Sequence, residues 1–336
     1  MSDSFALTTF SLDGIPRSAG LLIDDQIISI SEAASQGQWR GATALVGTSV
    51  LEILRAWGTS LPLLEELVAR IRAGLDVRGV VPSAAHIHAP VDLPTQIFCT
   101  GANYRKHVVQ LTVDMNVGPE GLTGEALQRW AENMMDERQR TGDPYVFTKP
   151  VSSIAGAYDP LKLPRTTKKP DWELELGVII GKGGWQIPRK QALSHVAGYA
   201  IVNDISARDL IARTDYKMLG TDWLRSKGQP GFLPFGPYLV PARFVPDPQN
   251  LRLRLSLNGQ IMQDESTADM LFDVARQIEY ISQYTALLPG DLICTGSPAG
   301  NGTHYNRYLQ PGDTMVAEIE GLGQQRVPCL AAEAVD

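Results

Sequence analysis

The stretch Asp171–Gly181, read DWELELGVIIG, places two carboxylates at alternating positions of an apolar run. Successive side chains of a β-strand point to opposite faces. Trp172, Leu174 and Leu176 therefore share one face, and Glu173, Glu175 and Gly177 share the other. The two acids sit roughly 7 Å apart along such a strand. An arbitrary Glu-x-Glu pair is most often a solvated strand face. Here Val178-Ile179-Ile180 continues the run as strand buried on both sides. Two like charges beside a buried segment repel and are poorly solvated, so a positive group is expected to join them. Asp204, which closes the apolar run Gly198–Asn203, supplies a third acid. Three carboxylates at strand ends, with no Cys or His spacing beside them, describe a site for a hard cation: Mg²⁺ or Mn²⁺, with Ca²⁺ as a further candidate.

Other residue types are weaker signals. His107 stands one turn into a helix after the strand Gln96–Thr100, in GANYRKH, and taken alone reads as a surface helix histidine. Lys149 precedes Pro150 and so sits in extended backbone. The segment 215–241 is rich in Gly, Pro and aromatics, and a loop of that length is more often functional than idle. His86 and His88 could share a strand face, but they fall in what reads as a linker, so a solvated role is expected. His195 reads as packing or capping. Gly181-Lys-Gly-Gly184 does not complete a dinucleotide fingerprint, no P-loop occurs, and no Gly-x-Ser-x-Gly elbow is present.

The elements that must hold these residues are legible in outline. The chain has 336 residues, 43% hydrophobic, enough for a sizeable core in one large domain or two. Its formal charge of −7 argues against a nucleic-acid partner. No apolar run is long enough to span a membrane. The three cysteines, Cys99, Cys294 and Cys329, are far apart and fit free thiols in a reducing cytosol. The first residues lack a basic and an apolar leader region, so no signal peptide and a cytoplasmic location are expected. Residues 5–30 read as an antiparallel meander. Helices are expected from Ser49 to Trp57 and, after a break at Gly58-Thr59-Ser60, from Leu61 to Ala73. Residues 74–95 read as a linker, which gives a small N-terminal α/β domain over 1–90 and a larger one over 91–336. Within the larger part, 111–142 is an excursion with a helix over 123–140, either a peripheral helix or a lid. Asn258-Gly259 marks a hairpin. Ser266 and Asp269 read as a capping box for a helix carrying Leu271, Val274, Ile278 and Ile281. Met315–Glu320 reads as the last strand. Strands and hairpins outnumber helices in this part, so the fold class is α+β, mainly β: a mixed roll or sandwich with peripheral helices.

In that order, the stretches resemble the fumarylacetoacetate hydrolase family. They are GANYRKH at 101–107, FTKPVSSIAG at 147–156, DWELELGVIIG at 171–181, GYAIVNDISARD at 198–209, SKGQPGFLPFGP at 226–237, LNGQIMQ at 257–263 and LLPGDLICTGSPAG at 287–300. The resemblance covers roughly residues 95–330 and implies a mixed β-roll, a homodimer and a divalent metal held by Glu173, Glu175 and Asp204. It makes His107 the active-site histidine, with Tyr104 in the same motif as a substrate-binding candidate. It puts Lys149 and Lys227 near the substrate and Thr295 in contact with it. Arg208, a further substrate-binding candidate, and Asp209 fall in a structural Ser-Ala-Arg-Asp motif. One departure bears on chemistry: Gln110 stands where the family often has a glutamate paired with the histidine. A glutamine can orient a water but cannot take its proton.

The resemblance implies a small 2-oxo or 1,3-dicarbonyl acid as substrate, such as an acylpyruvate or diketo acid. Its paired oxygens would chelate the metal. Cleavage of the adjacent C–C bond leaves an enolate that the metal and Lys149 or Lys227 stabilise, with His107 as general base. With Gln110 in place, a carboxylate of the excursion, Glu132, Asp136 or Glu137, could assist. The alternatives are a decarboxylase or keto–enol isomerase on a similar acid, and a family member that binds ligand without turnover.

Overall fold

The computed structural model describes residues 4–37 and 39–332. The leading Met-Ser-Asp and the last four residues of the 91–336 stretch lie outside them. An eight-stranded sheet carries the chemistry. Its strands run in the order Tyr145–Thr148, Ile97–Gly101, Leu292–Cys294, Leu174–Ile180, Val196–Asn203, Leu233–Phe235 and Ile154–Gly156, with Val240–Pro241 paired beside Val196–Asn203. The fold is α+β and mostly sheet, as expected.

The central strand explains why the alternation in the sequence is so regular. Leu174, Leu176, Val178 and Ile180 point into a core shared with Leu253, Leu255, Met315 and Ala317 of a second, five-stranded sheet. Ile179, on the opposite face, packs with Val202, Phe235 and Leu292 against Leu7, Leu21, Leu54 and Leu64 of the N-terminal part. Each such side chain, fully buried, contributes about 1.5–3 kcal/mol. A slip of one residue would exchange the two faces, so the register that positions Glu175 opposite Val202 is strongly specified.

Several local expectations are corrected. Asp171 is not in the long strand; it forms a two-residue ladder with Ser206, and the continuous strand starts at Leu174. Gly58-Thr59-Ser60 does not break the chain, because one helix runs from Trp57 to Arg72. Those three residues occupy its first turn, where the Thr59 and Ser60 N–H groups donate to the Ala56 carbonyl at 2.9 and 2.8 Å. Residues 79–80 and 86–88 are strands of a five-stranded N-terminal sheet and not a plain linker. His88 is buried with Nε2 2.9 Å from Ser11 Oγ, while His86 stays exposed, 3.3 Å from Asp159.

The helix expected after Ser266 begins only at Val274, capped by Asp273. Ser266 caps a short 3₁₀ turn, Thr267–Asp269. A further strand, Gly323–Ala331, follows the expected last one. Asn258 and Gly259, at φ 53° and 87°, make the left-handed pair that the hairpin requires.

The Pro289-Gly-Asp291 turn buries a carboxylate. Asp291 Oδ2 accepts from the Leu288 backbone and from Gln96, whereas Oδ1 has no partner. Burial therefore raises its pKa to about 6. A carboxyl raised in the fold stabilises it below the unfolded pKa and loses that contribution as pH rises through about 6. Denaturant midpoints measured across pH 4–6.5 should fall through this window in the wild type, and Asp291→Asn should flatten that slope. Identical slopes would show that the group does not titrate as its burial requires.

Candidate functional site

Glu173 and Glu175 share the strand parity of Ile179, but at the start of the strand that face opens onto a cavity of about 390 Å³. Asp204 follows the neighbouring strand, and its N–H donates to the Glu173 carbonyl at 2.8 Å. The Asn203 side chain accepts from the Glu173 N–H at 2.9 Å. These bonds lock the two strand ends together, and one carboxylate oxygen from each of Glu173, Glu175 and Asp204 lies within 4.8 Å of the others. All three acids are buried.

Cations surround this cluster unevenly. Lys227 Nζ is 2.6 Å from Glu173 Oε2 and 2.6 Å from Asp204 Oδ2. Lys149 Nζ is 2.5 Å from Asp204 Oδ1 and also donates to the carbonyls of Phe232 and Ile205. Arg208 bridges Asp171 and Glu173. Glu175 makes no ion pair among the described residues and accepts only the Gly296 N–H, at 2.8 Å. Burial pushes Glu173 up, but Arg208 and then Lys227 outweigh it and bring its carboxyl down to about 2. Burial, and then Asp204 beside it, push Glu175 well above the usual carboxylate range. Four buried carboxylates, Asp171 included, thus face three side-chain cations, and the shortfall falls on Glu175.

His107 is buried and lines the same cavity, with Nδ1 unpartnered. Burial lowers its pKa to about 4; Glu173 opposes this, while Arg208 and Lys227 reinforce it. The imidazole is thus neutral at pH 7, able to accept a proton. Its placement depends on a cap. Asp269 Oδ2 accepts the Lys106 N–H at 2.9 Å and so closes the first turn of the Arg105–Asp114 helix.

The structure brings His107, Lys227, Arg208 and the three acids to one cavity wall. Lys149 lies behind Asp204, out of the cavity. Thr295 is buried and its hydroxyl donates to the Leu176 carbonyl, while Tyr104 is fully buried with its hydroxyl unpartnered. Gln110 turns away and accepts the Gly300 N–H at 3.0 Å. The excursion expected from 111 begins inside the Arg105–Asp114 helix, and its later part forms a second helix, Gly124–Thr141, packed through Ala131 and Met135 on Val109, Leu271 and Phe272. Glu132, Asp136 and Glu137 are engaged by Gln128, Arg105 and Arg140, and none lines the cavity.

Residues not singled out from the sequence complete the site. Asp171 holds Arg208 and accepts the Gly302 N–H at 2.6 Å. Asn103 ties Phe272 to Thr295 through three backbone bonds. Gly296, at φ 97°, brings its N–H to Glu175, and a Cβ there would lie 2.8 Å from that of Asn103. Trp223 stacks on Phe147 at 4.6 Å. The Asp beside the Glu-x-Glu and the glycine of Thr-Gly-Ser-Pro were the available signals.

The C-terminal domain description of fumarylacetoacetate (FAA) hydrolase matches residues 96–329. The chain belongs to the fumarylacetoacetate hydrolase family. It is 34% identical to a 2,4-didehydro-3-deoxy-L-rhamnonate hydrolase of Sphingomonas sp. (strain SKA58), over 87% of this chain and 88% of that one. A mitochondrial oxaloacetate tautomerase of Homo sapiens is 36% identical over 70% of this chain and 66% of its own length. The solved fumarylacetoacetate hydrolase of Exiguobacterium antarcticum superposes with a TM-score of 0.71 at 28% identity, covering 97% of this chain and 99% of that one. The family thus contains hydrolases and tautomerases that act on small acids. No helix of the described residues is long and apolar enough to cross a membrane.

The family member's acidic cluster fits a divalent ion on its own chemistry. Its donors are hard carboxylate oxygens within reach of one another, and Glu175 is the buried acid that lacks a countercharge. An ion that binds only the folded state stabilises it by about 2.7 kcal/mol at a hundredfold its dissociation constant. Millimolar Mn²⁺ or Mg²⁺ should therefore raise the melting temperature of the wild type, and Glu175→Ala should abolish the rise. An equal rise in both proteins would remove Glu175 from the centre.

Proposed function

We propose that the protein is a divalent-metal-dependent hydrolase that cleaves a C–C bond in a small 2-oxo or 1,3-dicarbonyl acid, of the acylpyruvate or diketo-acid kind. The observation that carries this reading is the convergence of three buried carboxylates and a neutral histidine on one cavity. Glu173, Glu175 and Asp204 would hold Mg²⁺ or Mn²⁺. When bound, the ion supplies Lewis-acid polarisation of the substrate's 2-oxo group and neutralises the negative charge that cleavage leaves on that oxygen.

The chain's own residues do the rest. His107, neutral and facing the cavity, takes a proton from water in the attacking step and returns it to the leaving carbon. Lys227 holds Glu173 and Asp204 in place and presents a positive charge where the substrate carboxylate arrives. Lys149 fixes Asp204 from behind, with three acceptors engaged. Arg208 fixes Glu173. The Phe147–Trp223 stack covers Lys227, whose Nζ lies 5.5 Å from the Phe147 ring centre, and so shields that charge from solvent.

A second reading is favoured by one observation. His107 has no carboxylate partner, since Gln110 is turned to Gly300 and the acids of the 124–141 helix are engaged elsewhere. A lone histidine suffices for proton transfer in keto–enol tautomerisation, which needs no activated water. The relative named as an oxaloacetate tautomerase accords with that chemistry.

Incubation with acylpyruvates and Mn²⁺ should yield two carboxylic acids, and EDTA should stop it. Exchange of the C3 protons into solvent without cleavage would establish the tautomerase instead, and release of CO₂ a decarboxylase. His107→Ala should lose about 10²–10⁴-fold in turnover while keeping the metal-dependent rise in melting temperature. An unchanged rate would take the histidine out of the mechanism.

A further inference from the structure

The cavity is chemically two-sided. The acids, Lys227, Arg208 and His107 line it together with Phe147, whose ring lies 5.5 Å from Lys227 Nζ, while Val108, Leu111, Met115 and Val117 line the stretch toward the mouth. The Arg105–Asp114 helix runs outward between them. His107 is buried, Leu111 is half-buried, and Met115 and Val117 at the mouth are each 59% exposed. From His107 to Met115 the helical rise is roughly 12 Å, so apolar side chains line a path several carbon atoms long.

Among the described residues that line the cavity, no side-chain cation is free to pair with a charged tail. Lys227 and Arg208 are committed to Glu173, Asp204 and Asp171. The Thr112 hydroxyl donates to the Val108 carbonyl at 2.8 Å. The Thr100 hydroxyl donates to Gln277 at 2.8 Å, and Ser297 Oγ accepts from Gln263 at 3.1 Å. A second carboxylate on the substrate would lie against half-buried Leu111 with no free countercharge beside it.

We infer that the substrate is a 2-oxo acid with an uncharged, apolar tail, alkyl or aryl, and that Leu111, Val117 and Trp223 set this preference. The inference rests on the proposed reading of the carboxylate end as the binder of a 2-oxo acid head. It separates this chain from the substrates named for its relatives, a deoxy sugar acid and oxaloacetate, whose polar tails the wall does not match.

Binding tests it without turnover. The probes are pyruvate, 2-oxoglutarate and 5-methyl-2-oxohexanoate, titrated calorimetrically into the Mn²⁺-loaded full chain. The last two have tails of nearly the same shape, one ending in a carboxylate and one in two methyl groups. The apolar acid should bind at least roughly tenfold more tightly than 2-oxoglutarate, the scale on which apolar pockets discriminate. Leu111→Arg should reverse the order. Val117→Lys, at an exposed position, should shift the order the same way if the first variant fails to fold. Pyruvate binding together with equal or tighter 2-oxoglutarate binding in the wild type overturns the tail inference alone. No binding of any of the three overturns the head reading and the inference with it.

Discussion

Three carboxylates that must be buried together cannot all stay ionised unless positive charge is brought to them. Much of the local architecture answers that constraint. Lys149 approaches Asp204 from behind, Lys227 spans Glu173 and Asp204, and Arg208 is itself held by a fourth buried acid, Asp171. Glu175 is left with a single backbone N–H from Gly296. A dication at that point would turn a local excess of negative charge into an excess of positive charge, which is what an anionic substrate requires.

The same charges cannot be placed by loops alone. Glu173 and Glu175 are fixed by a strand buried on both faces, whose register is set by two separate cores. Asp204 is tied to that strand through the Glu173 carbonyl. His107 is fixed by a helix whose first turn is closed at Lys106 by Asp269, 163 residues away in sequence. Acids and base are thus carried by different elements, and their relative position depends on the packing of the sheet against the 105–114 helix.

One cavity joins a carboxylate cluster to an apolar lining because of where that helix points. Its buried end presents His107 to the acids, and its outer end presents Leu111 and Met115 to whatever enters. Substrate selection within one family can then change through a few residues on this helix and on the Trp223–Lys227 helix, while the carboxylate end stays the same.

The alternation in Asp171–Gly181, the Asn258-Gly259 hairpin and the ordered set of stretches from 96 to 329 were enough to establish the family and the mainly β class, because they are local patterns with a fixed period or turn chemistry. They also picked out the three acids, since a like-charged pair beside a buried run needs compensation wherever it folds. Tertiary structure alone decided that Gln110 faces Gly300, that Lys149 stands behind Asp204 and outside the cavity, that Asp136 and Glu137 are spent on surface ion pairs, and that Glu132 is bonded to Gln128. It also decided that the helix expected from Ser266 starts at Val274, which frees Asp269 to cap another helix. The physical reason is the same in each case: a side chain's partner there lies on a distant segment, and no local periodicity records which way the chain has folded to meet it.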